Sequence, residues 1–113
     1  MSFLSADQRA RLLTNGALRT RGMPVDAFPV VKLYTPDSSA VWLLTELDAD
    51  GDLAYGLCDV GLGLPELGQI RLSDLAAMLG PHGLKISVDN GFVPRQTLSA
   101  YAADAVRDGS IND

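Results

Sequence analysis

The chain of 113 residues is poor in the residue types that cross-link proteins or ligate metals. It contains one cysteine, Cys58, and one histidine, His82. A single cysteine excludes an internal disulfide, which is typical of proteins in a reducing cytosol and not of small secreted scaffolds. A lone histidine with one distant cysteine does not make a zinc site. We therefore expect neither a disulfide framework nor a metal or other cofactor.

Long apolar runs and a basic excess are also missing. No run approaches the ~20 residues that a membrane span needs, and the N-terminal apolar run is too short for a signal peptide. Nine Lys and Arg residues stand against fourteen Asp and Glu residues, which gives a formal net charge of −5. Binding to nucleic-acid phosphates requires a basic footprint. We therefore expect a soluble, cytoplasmic protein that contacts no membrane and does not bind nucleic acid directly.

What remains is the composition of an ordinary globular domain, with 47% hydrophobic and 20% charged residues. A chain of this length buries roughly two thirds of its unfolded surface, which is enough for one core and too little for two. We predict a single domain over residues 1–113, with fraying at residues 1–4 and 110–113.

The centre of the chain predicts a β-hairpin. Two apolar runs, Val41–Leu47 and Leu53–Cys58, flank the polar, glycine-containing segment Asp48–Asp52, and the second run predicts a strand over Leu53–Asp59. Both faces of the first run begin apolar, which predicts a central strand that is covered on both sides and carries Trp42 in the core. Strict alternation predicts two faces for this strand, one with Val41, Leu43, Thr45 and Leu47 and the other with Trp42, Leu44, Glu46 and Asp48.

Capping and periodicity signals place the other elements. The predicted helices run from the Ser5 capping box to a stop at Asn15-Gly16, from a Ser73 cap to Gly80-Pro81, and from Thr97 to Gly109. The further predicted strands are Val30–Thr35, Gln69–Leu72 and Lys85–Asp89. Together these elements predict the α+β class: a mainly antiparallel sheet, built from a three-stranded meander plus one or two short strands, with three helices packed against it.

The acidic segment after the first hairpin strand partly resembles a calcium-binding loop. Asp48, Asp50, Asp52 and Asp59 fall at positions 1, 3, 5 and 12 of such a loop. However, the glycine is at position 4 where position 6 is needed, and strands flank the segment where helices should be. We interpret it as a hydrated hairpin turn without a bound metal.

Signatures of enzymes are incomplete. The glycine-rich segment Gly61–Gly68 lacks the spacing of a phosphate-binding loop, and its Glu66 would repel an anion. Nothing in the sequence brings Cys58 and His82 together as a nucleophile and its base. Glu46 and Asp59 could form a carboxylate pair across the hairpin, which would suit acid–base chemistry if a cleft held them. We expect a protein that is not an enzyme.

We predict that any functional surface lies around the hairpin turn and the loop that follows the hairpin, because a rigid sheet positions such segments while leaving them accessible. This region combines carboxylates with apolar side chains, which is typical of a modest interaction patch. Its residues are Glu46, Asp48, Asp50, Asp52, Asp59, Leu62, Leu64 and Glu66. The alternative is that the leucines of the loop, including Leu67, fold back as a lid on the core.

Several runs of the sequence resemble one protein family. They are Val30–Pro36, Trp42–Asp48, Gly56–Asp59 and Pro65–Gly68. The chain resembles, from the Ser5 helix to Ala103, a bacterial domain-of-unknown-function family of short, single-domain proteins that are often encoded on plasmids and integrated mobile elements. The resemblance implies a bacterial cytoplasmic protein in a mobile-element setting. It carries no activity, ligand or catalytic residue.

The sequence and the resemblance together favour a non-enzymatic interaction or accessory protein of a mobile element, with another protein as its partner. Two alternatives stay open. One is an anti-defence factor that mimics nucleic acid in the binding site of a restriction or CRISPR protein, although −5 is a modest charge for such a mimic. The other is a small carboxylate- or metal-dependent hydrolase that uses Glu46, Asp48 and Asp59. The oligomeric state is not indicated.

Overall fold

The structure, a computed structural model, describes residues 4–23 and 26–113. Its elements are α1 (Ala6–Thr20), β1 (Val31–Tyr34), β2 (Val41–Leu47), β3 (Leu53–Asp59), β4 (Glu66–Arg71), α2 (Leu72–Ala77), β5 (Ser87–Val88) and α3 (Leu98–Asp108). The strands form one antiparallel sheet in the order β4–β3–β2–β1–β5. This confirms the predicted α+β class with three helices. Within the described residues, no helix has the length and apolar character to cross a membrane.

The sheet carries a hydrophobic cluster on each face, and β2 contributes to both. The larger cluster packs Trp42 and Leu44 of β2 against Leu12 of α1 and Leu75 of α2. The smaller cluster packs Leu43 of β2 and its neighbours in β3 against the buried face of α3. Trp42 is only 2% exposed, which confirms its predicted place in the core of a central strand.

A β-bulge in β2 changes the predicted assignment of side chains to the two faces. Leu44 lies opposite Gly56 and Glu46 lies opposite Tyr55, so Thr45 is the extra residue with no partner of its own on β3. Beyond the bulge Leu47 therefore joins the cluster of Trp42, and Glu46 lies opposite Tyr55, which packs against the smaller cluster. The predicted faces are wrong from Thr45 onward, because alternation assumes that no residue is inserted into the ladder.

Helix α1 begins as predicted and ends later than predicted. The Ser5 capping box is confirmed, with the Ser5 hydroxyl accepting from the amide of Gln8 and the Gln8 side chain accepting from the amide of Ser5. The predicted stop at Asn15-Gly16 is wrong, since the helix continues to Thr20. Gly16 instead allows the backbone of α1 to approach β2 closely. A Cβ atom at this residue would lie 1.9 Å from the carbonyl oxygen of Leu47.

The remaining predicted boundaries differ in detail. Strand β4 begins at Glu66, three residues before the predicted start, and the strand predicted over Lys85–Asp89 is reduced to the two residues of β5. The predicted Ser73 cap is wrong, because α2 begins at Leu72. Helix α3 ends as predicted at Gly109, which adopts a left-handed conformation with φ of 77°. These differences leave the order of elements unchanged.

The sequence prediction of fraying falls partly outside the described residues. Residues 1–3 are among those that the structure does not describe, and Leu4 is buried. At the other end, Ile111 packs against the smaller cluster. The C-terminal segment therefore lies on the face of the sheet that α3 covers.

The contact between α1 and the bulged strand yields a first prediction. Gly16→Ala should lower the free energy of unfolding by about 1–3 kcal/mol, because the added methyl group forces the helix away from Leu47. This loss should appear even though alanine is intrinsically the better helix former. Gly68→Ala is the matched control, since a Cβ atom there meets nothing within 4 Å, and its effect should stay within about 0.5 kcal/mol. Urea denaturation measures both; a Gly16→Ala protein as stable as the parent would contradict the argument.

Candidate functional site

The residues of the predicted surface lie at opposite ends of β3. Asp48, Asp50 and Asp52 belong to the turn that precedes this strand, whereas Asp59 ends it and Leu62, Leu64 and Glu66 follow. Six residues of β3, residues 53–58, separate Asp52 from Asp59, which is a distance of roughly 20 Å. Glu46 lies on β2 near the turn, and its side chain is buried beside α1. The structure thus separates the predicted surface into two groups.

In the hairpin turn, two of the three carboxylates bind groups of the protein itself. Asp48 Oδ1 accepts from the amides of Asp52 and Leu53 at 3.2 and 3.1 Å, which closes the turn. Asp52 accepts from the amide and hydroxyl of Ser73, each at 2.9 Å, and these bonds lower the pKa of the Asp52 carboxyl. The turn therefore anchors the start of α2, and only Asp50 points into solvent without such a role.

Metal binding gains no support from the side chains around this turn. Among the residues that the structure describes, no three or more His, Cys, Asp and Glu side chains are grouped so that they could hold a metal ion. A calcium site needs six to eight oxygen ligands in one shell, whereas Asp48 and Asp52 direct their oxygens to amides and to Ser73. The turn has the bonding pattern of a structural element.

Glu46 is the buried member of an ion pair with α1. It is 5% exposed, and the Nε atom of Arg19 donates to its Oε1 and Oε2 atoms at 2.7 and 2.9 Å. The Arg19 guanidinium also lies 5.2 Å from the centroid of the Tyr55 ring, within range of a cation–π contact. The hydrogen bond to Glu46 raises the pKa of Arg19. Sequence reasoning missed Arg19, and the only signal was a carboxylate within an otherwise apolar strand.

A small cavity adjoins this ion pair. It has a volume of about 190 Å³ and is lined by Glu46, Arg19 and Tyr55 together with Asp26 and Ser99. The amide and hydroxyl of Ser99 bind the Asp26 carboxylate and lower its pKa. Both carboxylates of the cavity are thus engaged by donors of the protein. Glu46 joins β2 to α1, and Asp26 joins the segment before β1 to the first turn of α3.

The carboxylate pair considered for a hydrolase is not brought together. Asp59 pairs with Val41 at one end of β2, and Glu46 pairs with Tyr55 near the other end. Cys58 is half-buried on β3, and burial raises the pKa of its thiol, with a further contribution from the charge of Glu66. A thiol held in its protonated form is a poor nucleophile.

At the far end of β3, residues 60–67 present a series of exposed apolar side chains, and we call this segment the apolar loop. Its large exposed side chains, with their exposed fractions, are Val60 (56%), Leu62 (76%), Leu64 (72%) and Leu67 (43%). The alternative in which the leucines cover the core does not describe this structure. Each of the four side chains is instead available for contact with another molecule.

The apolar loop is held in place by its neighbours. Asp59 accepts from the amide of Gly61 at 2.9 Å and from the amide of Ile111 at 3.2 Å, so one buried carboxylate ties the loop to the C-terminal segment. Gly61 and Gly63 adopt positive φ angles of 83° and 77°, which glycine permits without strain. Pro65, between Leu64 and Glu66, is buried. The apolar side chains are therefore presented from a conformation that the surrounding structure specifies.

Comparison with known proteins identifies the chain at the level of a family. The family model described as Protein of unknown function (DUF2958) matches residues 3–112. The chain belongs to this family. Membership of DUF2958 confirms the resemblance to a domain-of-unknown-function family and assigns no specific role. No curated protein and no solved structure matches the chain.

The bonding of the hairpin turn yields a second prediction for this DUF2958 protein. Millimolar Ca²⁺ should leave the melting temperature unchanged, because only a ligand that favours the folded state stabilises it. Differential scanning calorimetry with Ca²⁺ and with EDTA measures this. A rise of several degrees in Ca²⁺ that Asp50→Ala abolishes would show that the turn binds the ion.

Proposed function

We propose that this DUF2958 protein is a non-enzymatic interaction protein that docks onto another protein through the apolar loop. The observation that carries the proposal is the exposure of four large apolar side chains within one fixed segment of eight residues. Burying a leucine side chain is worth about 1.5–3 kcal/mol, so Leu62 and Leu64 alone supply a useful driving force for association. Aliphatic side chains on a preorganised loop lose little conformational entropy on binding.

The carboxylates offer less support for the alternative functions. A nucleic-acid mimic needs a row of free carboxylates, whereas Asp48, Asp52 and Asp59 accept hydrogen bonds from backbone amides or from Ser73. A hydrolase needs a carboxylate that is free to exchange a proton in a cleft, whereas Glu46 is paired with Arg19. The exposed apolar side chains have no comparable structural role. Contact with a partner is therefore the simplest function for them.

The setting of this interaction is part of the proposal. The resemblance to bacterial proteins encoded on plasmids and integrated elements supports an accessory role for a mobile element. The low cysteine content supports a cytoplasmic location. In that setting the partner is a protein of the element or of its bacterial host.

The third prediction tests the apolar loop directly. The double substitution Leu62→Ser with Leu64→Ser should abolish capture of the partner from lysate of a bacterial host. It should change the melting temperature by less than about 3 °C, because mutations of exposed side chains rarely cost more than about 0.5 kcal/mol. Affinity capture with the tagged chain and thermal denaturation measure the two effects.

Leu79→Ser with Leu84→Ser is the matched control, since these leucines are 57% and 49% exposed in the segment that follows α2. This control should retain capture of the partner. Unchanged capture by the variant of the apolar loop would refute the proposed docking site. A large fall in its melting temperature would show instead that the leucines stabilise the fold.

A further inference from the structure

The apolar loop lies beside the C-terminal end of α3. A Cβ atom built on Gly63 would lie 4.0 Å from the carbonyl oxygen of Gly109, the residue that caps this helix. The C-terminus of a helix carries a partial negative charge of about half a unit. The backbone of α3 therefore adds negative potential next to the exposed leucines.

Acidic side chains lie beside the apolar loop and on the end of α3 next to it. Asp59 immediately precedes the apolar loop, and Glu66 is exposed within it. The segment after α3 crosses the sheet from β3 to β1. Its Ile111 amide donates to Asp59 at the end of β3, and its Asp113 pairs with Lys32 of β1. Four carboxylates belong to the apolar loop, to the residue before it or to the last turns of α3 beside it, namely Asp59, Glu66, Asp104 and Asp108.

A cation of α3 contacts two of these four carboxylates. Arg107 lies 3.4 Å from Asp104 and 3.0 Å from Asp108. Four negative charges against the positive charge of Arg107 leave a formal excess of three within this set. Among the described residues, no ion pair involves Asp59 or Glu66, the two carboxylates that precede the leucines or lie among them.

We infer that the partner presents to the apolar loop a segment in which apolar side chains are flanked by lysine or arginine. This inference rests on the proposed function and adds the chemistry of the partner to it. Apolar contacts supply most of the affinity, while the complementary charges raise the association rate and exclude wrong partners. A segment flanked by carboxylates would instead meet like charges around the leucines.

The same charges argue against other occupants. An anionic membrane surface and the phosphates of nucleic acid are both repelled by this region. A two-fold dimer that joined loop to loop would place the acidic region against its own copy, because such an interface brings the same surface of both subunits together. A basic, apolar segment of another protein is the occupant that satisfies both the leucines and the carboxylates.

The test uses two fluorescein-labelled amphipathic peptides with leucines at helical spacing, one with lysine and the other with glutamate on its polar positions. Fluorescence anisotropy measures their binding to the full chain. The lysine peptide should bind and the glutamate peptide should not. Raising the salt from about 50 mM to about 300 mM should weaken binding of the lysine peptide at least about fivefold, because salt screens exposed charges. Equal binding of the two peptides would overturn the inference.

Two charge reversals test whether the charges beside the apolar loop attract the lysine peptide. Glu66→Lys should weaken binding of the lysine peptide several-fold. Asp50→Lys is the control, because it makes the same change of charge at the other end of β3. The Asp50→Lys protein should bind within about twofold of the parent, since a charge roughly 20 Å away is screened. Equal losses in the two variants would show a general charge effect and overturn the inference. Circular dichroism confirms that each variant is folded.

Capture of the cellular partner separates this inference from the proposed function. If capture is lost in the Leu62→Ser, Leu64→Ser protein but is insensitive to Glu66→Lys and to salt, the docking site stands and the basic partner is refuted. If capture survives the leucine substitutions, the proposed function itself fails. Sedimentation of the chain alone gives the remaining outcome: self-association that the leucine substitutions abolish would make a second copy the occupant and overturn the inference.

Discussion

The fold depends on the bulge at Thr45, where α1 meets the sheet. Without the inserted residue, alternation along β2 would place Glu46 on the face of Trp42 and Leu44, within the larger hydrophobic cluster. A buried carboxylate without a partner is costly. The bulge turns Glu46 to Arg19, while the carbonyl of Thr45 accepts from the Asn15 side chain at 2.9 Å. One extra residue thus joins the central strand to the helix that covers it.

Hydrophobic clusters hold β2 in place on both of its faces, and β2 in turn positions β3, the strand that leads into the apolar loop. β3 pairs with β2 along its whole length, and its two ends lead into segments of different character. The hairpin turn uses its carboxylates to close itself and to hold α2. At the other end, Asp59 holds the apolar loop and the C-terminal segment together. A rigid strand therefore presents the exposed leucines, which is how loops on a stable scaffold acquire binding functions.

Local signals in the sequence predicted much of this fold. The limits of β2 and β3, the Ser5 capping box and the end of α3 at Gly109 all follow from patterns within a few residues. The bulge did not, because a period of two cannot reveal an inserted residue. Gly16 resembles a helix stop in the sequence, because glycine occurs both in left-handed caps and at close backbone contacts. The division of the predicted surface and the role of Arg19 depend on contacts between distant segments.

The edge strand β5 has a consequence for how the molecule assembles and opens. The neighbours among β1 to β4 follow one another along the chain, so their pairing closes only short loops. β5 joins β1 through two residue pairs, Leu33 with Val88 and Tyr34 with Ser87, across more than fifty intervening residues. Closing so long a loop for so few hydrogen bonds places this pairing late in folding and among the first to exchange its amide protons. We therefore expect the β5 edge to open before the meander of β1 to β4 does.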